Sequence, residues 1–350
     1  MDGGQEESMT SMTRRTFLKV AGATGAALLA GCRVADSGVA VGEGAASAPP
    51  ATGLVPAPVE ILITPSGSLY TQSYGRVPSV VGHDWRLRVH GLVRQQRTLS
   101  LDEVRAYPKV EAMRTLECIG NPVGGSLIGN VVWGGFDAAA LWEEVGILPG
   151  ARRARFEAED DYTTSVELSW ITQPGVLLVY EINGEPLPPE HGYPVRLLMP
   201  GLYGQKMPKW IRDIEFIDFD HRGYWESRGW SDVASVQTNS IIRQPEGLAR
   251  LPAGSVPVFG VAFAGLRRIA RLEVRVDDGE WRPAELLQGD SPLVWTQWAF
   301  DWRADSGRHR IAVRATDDTG FVQSTESDSV LSSAFPDGTS DIHGIVVTVA

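Results

Sequence analysis

From Trp85 to His90 the chain alternates apolar and polar residues (Trp85-Arg86-Leu87-Arg88-Val89-His90), the period of a strand with one face in a core. A continuous apolar run, Val176-Leu177-Leu178-Val179-Tyr180, predicts a strand covered on both faces. Asp137 to Val145 instead carries its apolar residues on one face of a short helix. Short elements of both kinds, interleaved over residues 59–243, predict a compact α+β domain. The pattern changes after Gln244-Pro245. Strand-like runs at Val256 to Phe263, Ile269 to Val276, Trp295 to Trp302 and Arg310 to Ala315 are separated by the turn sequences Asp277-Asp278-Gly279, Asp305-Ser306-Gly307 and Asp317-Asp318-Thr319-Gly320. That spacing predicts a β-sandwich over residues 244–350, with Trp281, Trp295, Trp298 and Trp302 as core and hairpin packing.

Before residue 59 the pattern fits no globular element. Thr13-Arg14-Arg15-Thr16-Phe17-Leu18-Lys19 precedes an Ala/Gly-rich apolar run from Val20 to Ala30, which ends in Leu29-Ala30-Gly31-Cys32. This is the form of a twin-arginine export signal joined to a lipobox, so residues 1–31 are expected to be removed and Cys32 to carry lipid. The apolar run is about half of the ~20 residues needed to span a bilayer. Residues 32–58, with Pro49-Pro50 and Pro56-Ala57-Pro58 among small residues, read as a flexible tether. The expected place of the folded part is the periplasmic side of a cell envelope, lipid-anchored to the membrane.

The formal net charge is −11, and the signal adds nothing to it, because Asp2, Glu6 and Glu7 balance Arg14, Arg15 and Lys19. Such a balance argues against nucleic-acid binding, which needs a basic surface, and suits basic protein partners. Only two cysteines are present. With Cys32 committed to lipid, Cys118 has no disulfide partner. It stands in Arg114-Thr115-Leu116-Glu117-Cys118-Ile119-Gly120-Asn121-Pro122-Val123-Gly124-Gly125, where an apolar run meets a Gly/Asn/Pro turn, hence at a junction of strand and loop. Two readings stay open at this point: an inert cysteine packing as a small hydrophobe, and a thiolate on a rim suited to a metal or an electrophile. Hydrolase readings fare worse. The chain has no Gly-x-Ser-x-Gly elbow, and its six histidines form no His-x-x-x-His or His-Glu-x-x-His pair.

Five segments, in order, resemble those of the sulfite oxidase family of molybdenum-cofactor enzymes. Thr115 to Asn121 is similar to the family's segment around its molybdenum-binding cysteine. Tyr180-Glu181-Ile182-Asn183-Gly184-Glu185-Pro186-Leu187, Glu190-His191-Gly192-Tyr193-Pro194-Val195-Arg196 and Gly204-Gln205-Lys206-Met207-Pro208-Lys209-Trp210 resemble its pterin-binding region. Ile269 to Trp281, with Val313 to Asp317, resembles its immunoglobulin-like dimerisation domain. The resemblance implies a molybdopterin-binding α+β domain at 59–243 and an immunoglobulin-like β-sandwich at 244–350. It implies Cys118 as metal ligand, and Asn121, His191, Arg196, Lys206 and Lys209 around the cofactor, the last four as donors to its phosphate. It also implies a homodimer. No Cys-x-x-Cys-His or flavin fingerprint is present, so electrons would pass to a separate carrier, a cytochrome or a quinone-linked protein.

The chain departs from sulfite oxidases where that family is expected to bind its anionic substrate. Gln72 stands in place of an arginine, Tyr74 of a histidine, Val123 of an arginine, Trp230 of a tyrosine, and Leu293 or a neighbour of a further arginine. Each charged hydrogen bond to an anion contributes about 1.5–3 kcal/mol, so losing several disfavours sulfite. Gln72, Tyr74, Trp133 and Trp230 are expected to line a neutral, aromatic-rich catalytic pocket for a small substrate other than sulfite. The implied activity is oxygen-atom or two-electron transfer, S-oxide or N-oxide reduction included. The alternatives are a sulfite dehydrogenase that recruits Arg76 or Arg228, and a cofactor-free binding lipoprotein.

Overall fold

A computed structural model describes residues 63–287, 291–325 and 334–350. The expected export signal, lipobox and tether lie outside the described residues. Among the described residues no helix is long and apolar enough to cross a membrane.

The first part of the chain builds two five-stranded sheets that share one apolar core. In one sheet the order is Arg97–Ser100, Arg86–Gly91, Ile211–Ile217, Arg153–Ala158 and Thr163–Glu167. The pair Arg86–Gly91 and Ile211–Ile217 runs parallel, and the other neighbours are antiparallel. The second sheet carries the site. Lys109–Glu117 and Ile128–Asp137 form a long antiparallel hairpin, and Leu177–Ile182 lies beside Ile128–Asp137 and pairs with both Glu185–Pro186 and Arg196–Leu198. Gly135 lets these strands approach: a Cβ there would lie 2.2 Å from the Leu178 carbonyl oxygen. The helix Ala139–Val145 buries Leu141, Trp142 and Val145 and is closed by Gly146 in the left-handed region. It corresponds to the helix read from the one-sided apolar pattern.

The second part is a pair of sheets around a separate core. One runs Asn239–Gln244, Gly254–Phe263, Thr296–Ala304 and Glu285–Leu287; the other runs Arg250–Leu251, His343–Val349, Gly307–Asp317, Ile269–Val276 and Arg282–Pro283. Trp298 and Trp302 lie in this core, as the alternation requires. The boundary read at Gln244-Pro245 is several residues late. Asn239–Gln244 already pairs with Gly254–Phe263 and belongs to the sandwich. Its apolar residues continue the pattern of the preceding region, so composition alone does not mark the change of sheet.

A third apolar cluster forms the seam between the parts. Ile119, Ile128 and Tyr203 pack there with Val236, Ile241, Val261, Phe263, Val294 and Trp295. Ile119 follows Cys118 directly, so the seam lies against the site.

Candidate active site

Cys118 leaves the end of the strand Lys109–Glu117. Its N–H donates to the Leu127 carbonyl at 3.0 Å, and its own carbonyl accepts from Asn121 N–H at 2.9 Å, which closes a tight loop. Burial pushes the thiol up to about 11; a hydrogen bond from Gly120 opposes this, and the Glu117 carboxylate adds to it. A cofactor-free protein therefore holds a thiol here, and binding a metal releases its proton.

Beneath the loop lies Glu117, buried, accepting from Asn121 Nδ2 at 3.0 Å and from Asn239 Nδ2 at 3.0 and 3.2 Å. Burial raises its carboxyl to about 7, against those amide donors and the charge of Arg243. Asn121 also accepts from Leu127 N–H at 2.9 Å. Asn121 thus shapes the ligand loop from within.

Above Cys118 the wall is aromatic. The Trp230 ring edge and Cys118 Sγ would both touch a Cβ on Gly120, at 3.7 Å each. Trp230 packs edge-on against Trp225 and Phe335, Trp225 against Tyr224, and Tyr224 against Tyr74, which also meets Tyr162. The Tyr74 hydroxyl donates to the Asp160 carbonyl. Gln72 is exposed and makes no side-chain hydrogen bond among the described residues. Its neighbour Ser73 accepts from Lys209 Nζ at 2.8 Å.

Tyr70 was not among the residues read from the sequence. Burial, then the nearby Cys118, raises its phenol well above the usual value, while Arg196 pulls the other way. It therefore stands between the thiol and the basic corner. The pairing of buried Leu69 with Tyr70 was the available signal. Burial likewise raises the Tyr162 and Tyr203 phenols well above the usual value, with Cys118 among the smaller causes.

The basic corner holds fewer anion donors than the motifs implied. Arg196 is buried, donates to the His191 and Met207 carbonyls at 3.2 and 3.5 Å, and lies 5.1 Å over the Trp133 ring; its Nε has no partner among the described residues. Burial lowers the guanidinium to about 10. Burial and then Arg196 lower Lys209 to about 7. Gly192, at φ 113°, lets both residues close in, since a Cβ there would meet each at 3.1 Å. Two cations pressed together, one with an orphaned donor, fit an anionic group such as a phosphate.

Three of the expected residues find partners inside the fold. Lys206 is fully buried and ion-paired with Glu226 at 2.5 Å, with Ser165 O at 3.0 Å as a further acceptor, so it is consumed inside the fold. His191 Nε2 lies 3.2 Å from the Ser66 carbonyl, which only accepts, so that nitrogen is the donor. Burial and then Arg196 lower the imidazole, and through Nε2 His191 latches the Ser66 loop. Trp133 has no exposed surface and donates to the Arg114 carbonyl at 3.3 Å. Its strand is covered on both faces, so it forms a floor under Arg196 and not a wall of a substrate pocket. Of the replacement cations, Arg76 is exposed, while Arg228 lies 3.5 Å over the Tyr224 ring and donates to the Tyr224 carbonyl. Leu293 sits at the seam, its carbonyl accepting from Thr115 N–H at 2.9 Å.

Comparison with known proteins agrees with this arrangement. Residues 74–225 match the family described as oxidoreductase molybdopterin binding domain, and residues 231–333 match the Mo-co oxidoreductase dimerisation domain. The chain is 29% identical to sulfite oxidase of Gallus gallus over 320 residues, covering 76% of this chain and 70% of that protein. It is 38% identical to the uncharacterized oxidoreductase YuiH of Bacillus subtilis over 146 residues, 42% of this chain and 72% of that one. The sulfane dehydrogenase SoxCD of Paracoccus pantotrophus shares the fold, with a TM-score of 0.72 at 24% identity over 84% of this chain and 85% of the other.

Proposed function

The chain belongs to the sulfite oxidase family of molybdopterin-dependent oxidoreductases, and from this we propose that it transfers an oxygen atom or an electron pair to or from a small uncharged or amphipathic substrate other than sulfite, S-oxide or N-oxide reduction included. The bound cofactor supplies the two-electron and oxygen-atom chemistry. Cys118 would hold its molybdenum and Arg196 with Lys209 its phosphate. Tyr70, between thiol and cations, orients polar groups at the centre, and the aromatic wall from Tyr74 to Trp230 keeps water from it.

One observation carries the substrate reading. The surface beside Cys118 is built from Trp230 and its aromatic neighbours, and Arg228, one of the two replacement cations read from the sequence, is drawn onto Tyr224 instead. An anion there finds few charged donors. The test is a panel of S-oxides, N-oxides and sulfite, run on metal-loaded protein with artificial electron donors and acceptors. Turnover of a neutral oxide with negligible saturation by sulfite is expected; efficient oxidation of sulfite would overturn the reading in favour of a sulfite dehydrogenase.

The same proposal includes export and a lipid anchor at Cys32, supported by the twin-arginine and lipobox pattern. Cys32→Ala should release the protein from membranes with catalysis unchanged. It includes a separate electron carrier, basic to suit the charge of −11. It also includes a homodimer through the second domain, supported by the match of residues 231–333 to a dimerisation domain.

A further inference from the structure

The second domain reaches the metal loop from three directions. On the strand that leads to Cys118, Thr115 N–H donates to the Leu293 carbonyl at 2.9 Å, and Thr115 Oγ1 accepts from Trp295 N–H at 2.8 Å. On the residue before Cys118, Asn239 Nδ2 donates to both Glu117 oxygens, at 3.0 and 3.2 Å. On the far side of the loop, Arg243 Nη1 donates to the Gly125 carbonyl at 3.4 Å, and the His343 ring lies so close to Gly124 that a Cβ would fall 2.2 Å from its Nε2. His343 is itself fixed, its Nδ1 accepting from Ile242 N–H at 3.0 Å. Glu117 passes the constraint on, because it accepts from Asn121, and Asn121 ties both ends of the loop.

We propose that the β-sandwich domain is part of the metal-site machinery, with Asn239 a positioning residue that acts through Glu117 and Asn121 to fix the Cys118 sulfur. The inference rests on the reading of Cys118 as metal ligand. Asn239 touches no reacting atom in it. Removing its amide leaves the Glu117 carboxylate held from one side only, and the loop gains freedom where the metal bond needs direction.

The test uses the protein in a Cys32→Ala background, where Cys118 is the sole thiol. Two readouts are taken: the alkylation rate of Cys118 in cofactor-free protein, and the Mo(V) paramagnetic spectrum of loaded protein. Asn239→Ala should raise the alkylation rate about tenfold or more, the worth of a hydrogen bond to a charged group, and should shift the spectrum. Asn239→Ser repeats the test with a smaller cavity should the alanine variant fail to fold. Val258→Ala, deep in the sandwich core, lowers domain stability without touching Glu117 and should change neither readout. Equal effects in Asn239→Ala and Val258→Ala, or none in either, would overturn the inference. A wild-type spectrum in Cys118→Ser would overturn the ligand reading itself, whereas a changed one there with wild-type behaviour in Asn239→Ala would overturn the positioning role alone.

Discussion

The two flanks of Cys118 differ in how their buried charges are answered. On the seam flank Glu117 meets two amides, and Lys206, packed on the strand Thr163–Glu167, meets Glu226. In the basic corner Arg196 and Lys209 face each other with neutral hydrogen-bond partners, the Asp160 and Glu190 carboxylates acting on Lys209 less strongly than burial and Arg196, and one guanidinium nitrogen has no partner among the described residues. Charge complementarity inside a fold is a device of structure, since removing one partner strands the other. Uncompensated cations are a device of binding, because the fold tolerates their strain only for what an anion returns. The comparison separates the residues that hold the fold together from those proposed to hold a ligand.

Breaking the thiol between the flanks should have the largest effect. Cys118→Ser is expected to leave the fold and much of the phosphate contact intact while turnover falls by several orders of magnitude; near wild-type rates with stoichiometric molybdenum would remove the thiol from the reaction. Among the answered charges, Lys206→Met strands Glu226, whose side chain is 1% exposed, and should cost about 3–5 kcal/mol in denaturant unfolding of the cofactor-free protein. On the other flank, Arg196→Met should leave the cofactor-free protein as stable as the wild type or more so, because a lone buried cation disappears. Cofactor retention should nonetheless weaken about 10- to 100-fold, read by dialysis and metal analysis. Equal destabilisation by the two substitutions would erase the distinction.

The smallest effect is a pair of opposed pH dependences in the cofactor-free protein. Glu117 is raised from 4.5 to about 7, so the folded state holds its proton longer, and its contribution is full below 4.5 and lost as pH rises through about 7. Lys209 is lowered from 10.5 to about 7, so its contribution is full above 10.5 and lost as pH falls through about 7. Thermal melts should show the first slope abolished by Glu117→Gln and the second by Lys209→Met. The same slope in wild type and Glu117→Gln between pH 4.5 and 7 would show that the carboxyl titrates normally.

The alternation at Trp85–His90, the apolar run at 176–180 and the turn-spaced strands after residue 250 were legible because burial of one face or two leaves a period in the chain. Cys118 and the basic motifs were legible as chemistry, through residue type and order. What each basic residue does was not. Arg196, Lys206 and Lys209 carry the same sign within fourteen positions of the chain, yet only the packing decides that Lys206 meets Glu226, brought from twenty residues further on, while Arg196 and Lys209 are left facing each other across Gly192. The same holds for Asn239, whose meaning lies in Glu117, over a hundred residues earlier. Local sequence determines which groups are charged, polar or apolar, because those are properties of side chains. Tertiary structure alone decides which charges are cancelled, because cancellation is a matter of distance, and the distances are set by strands far apart in the chain.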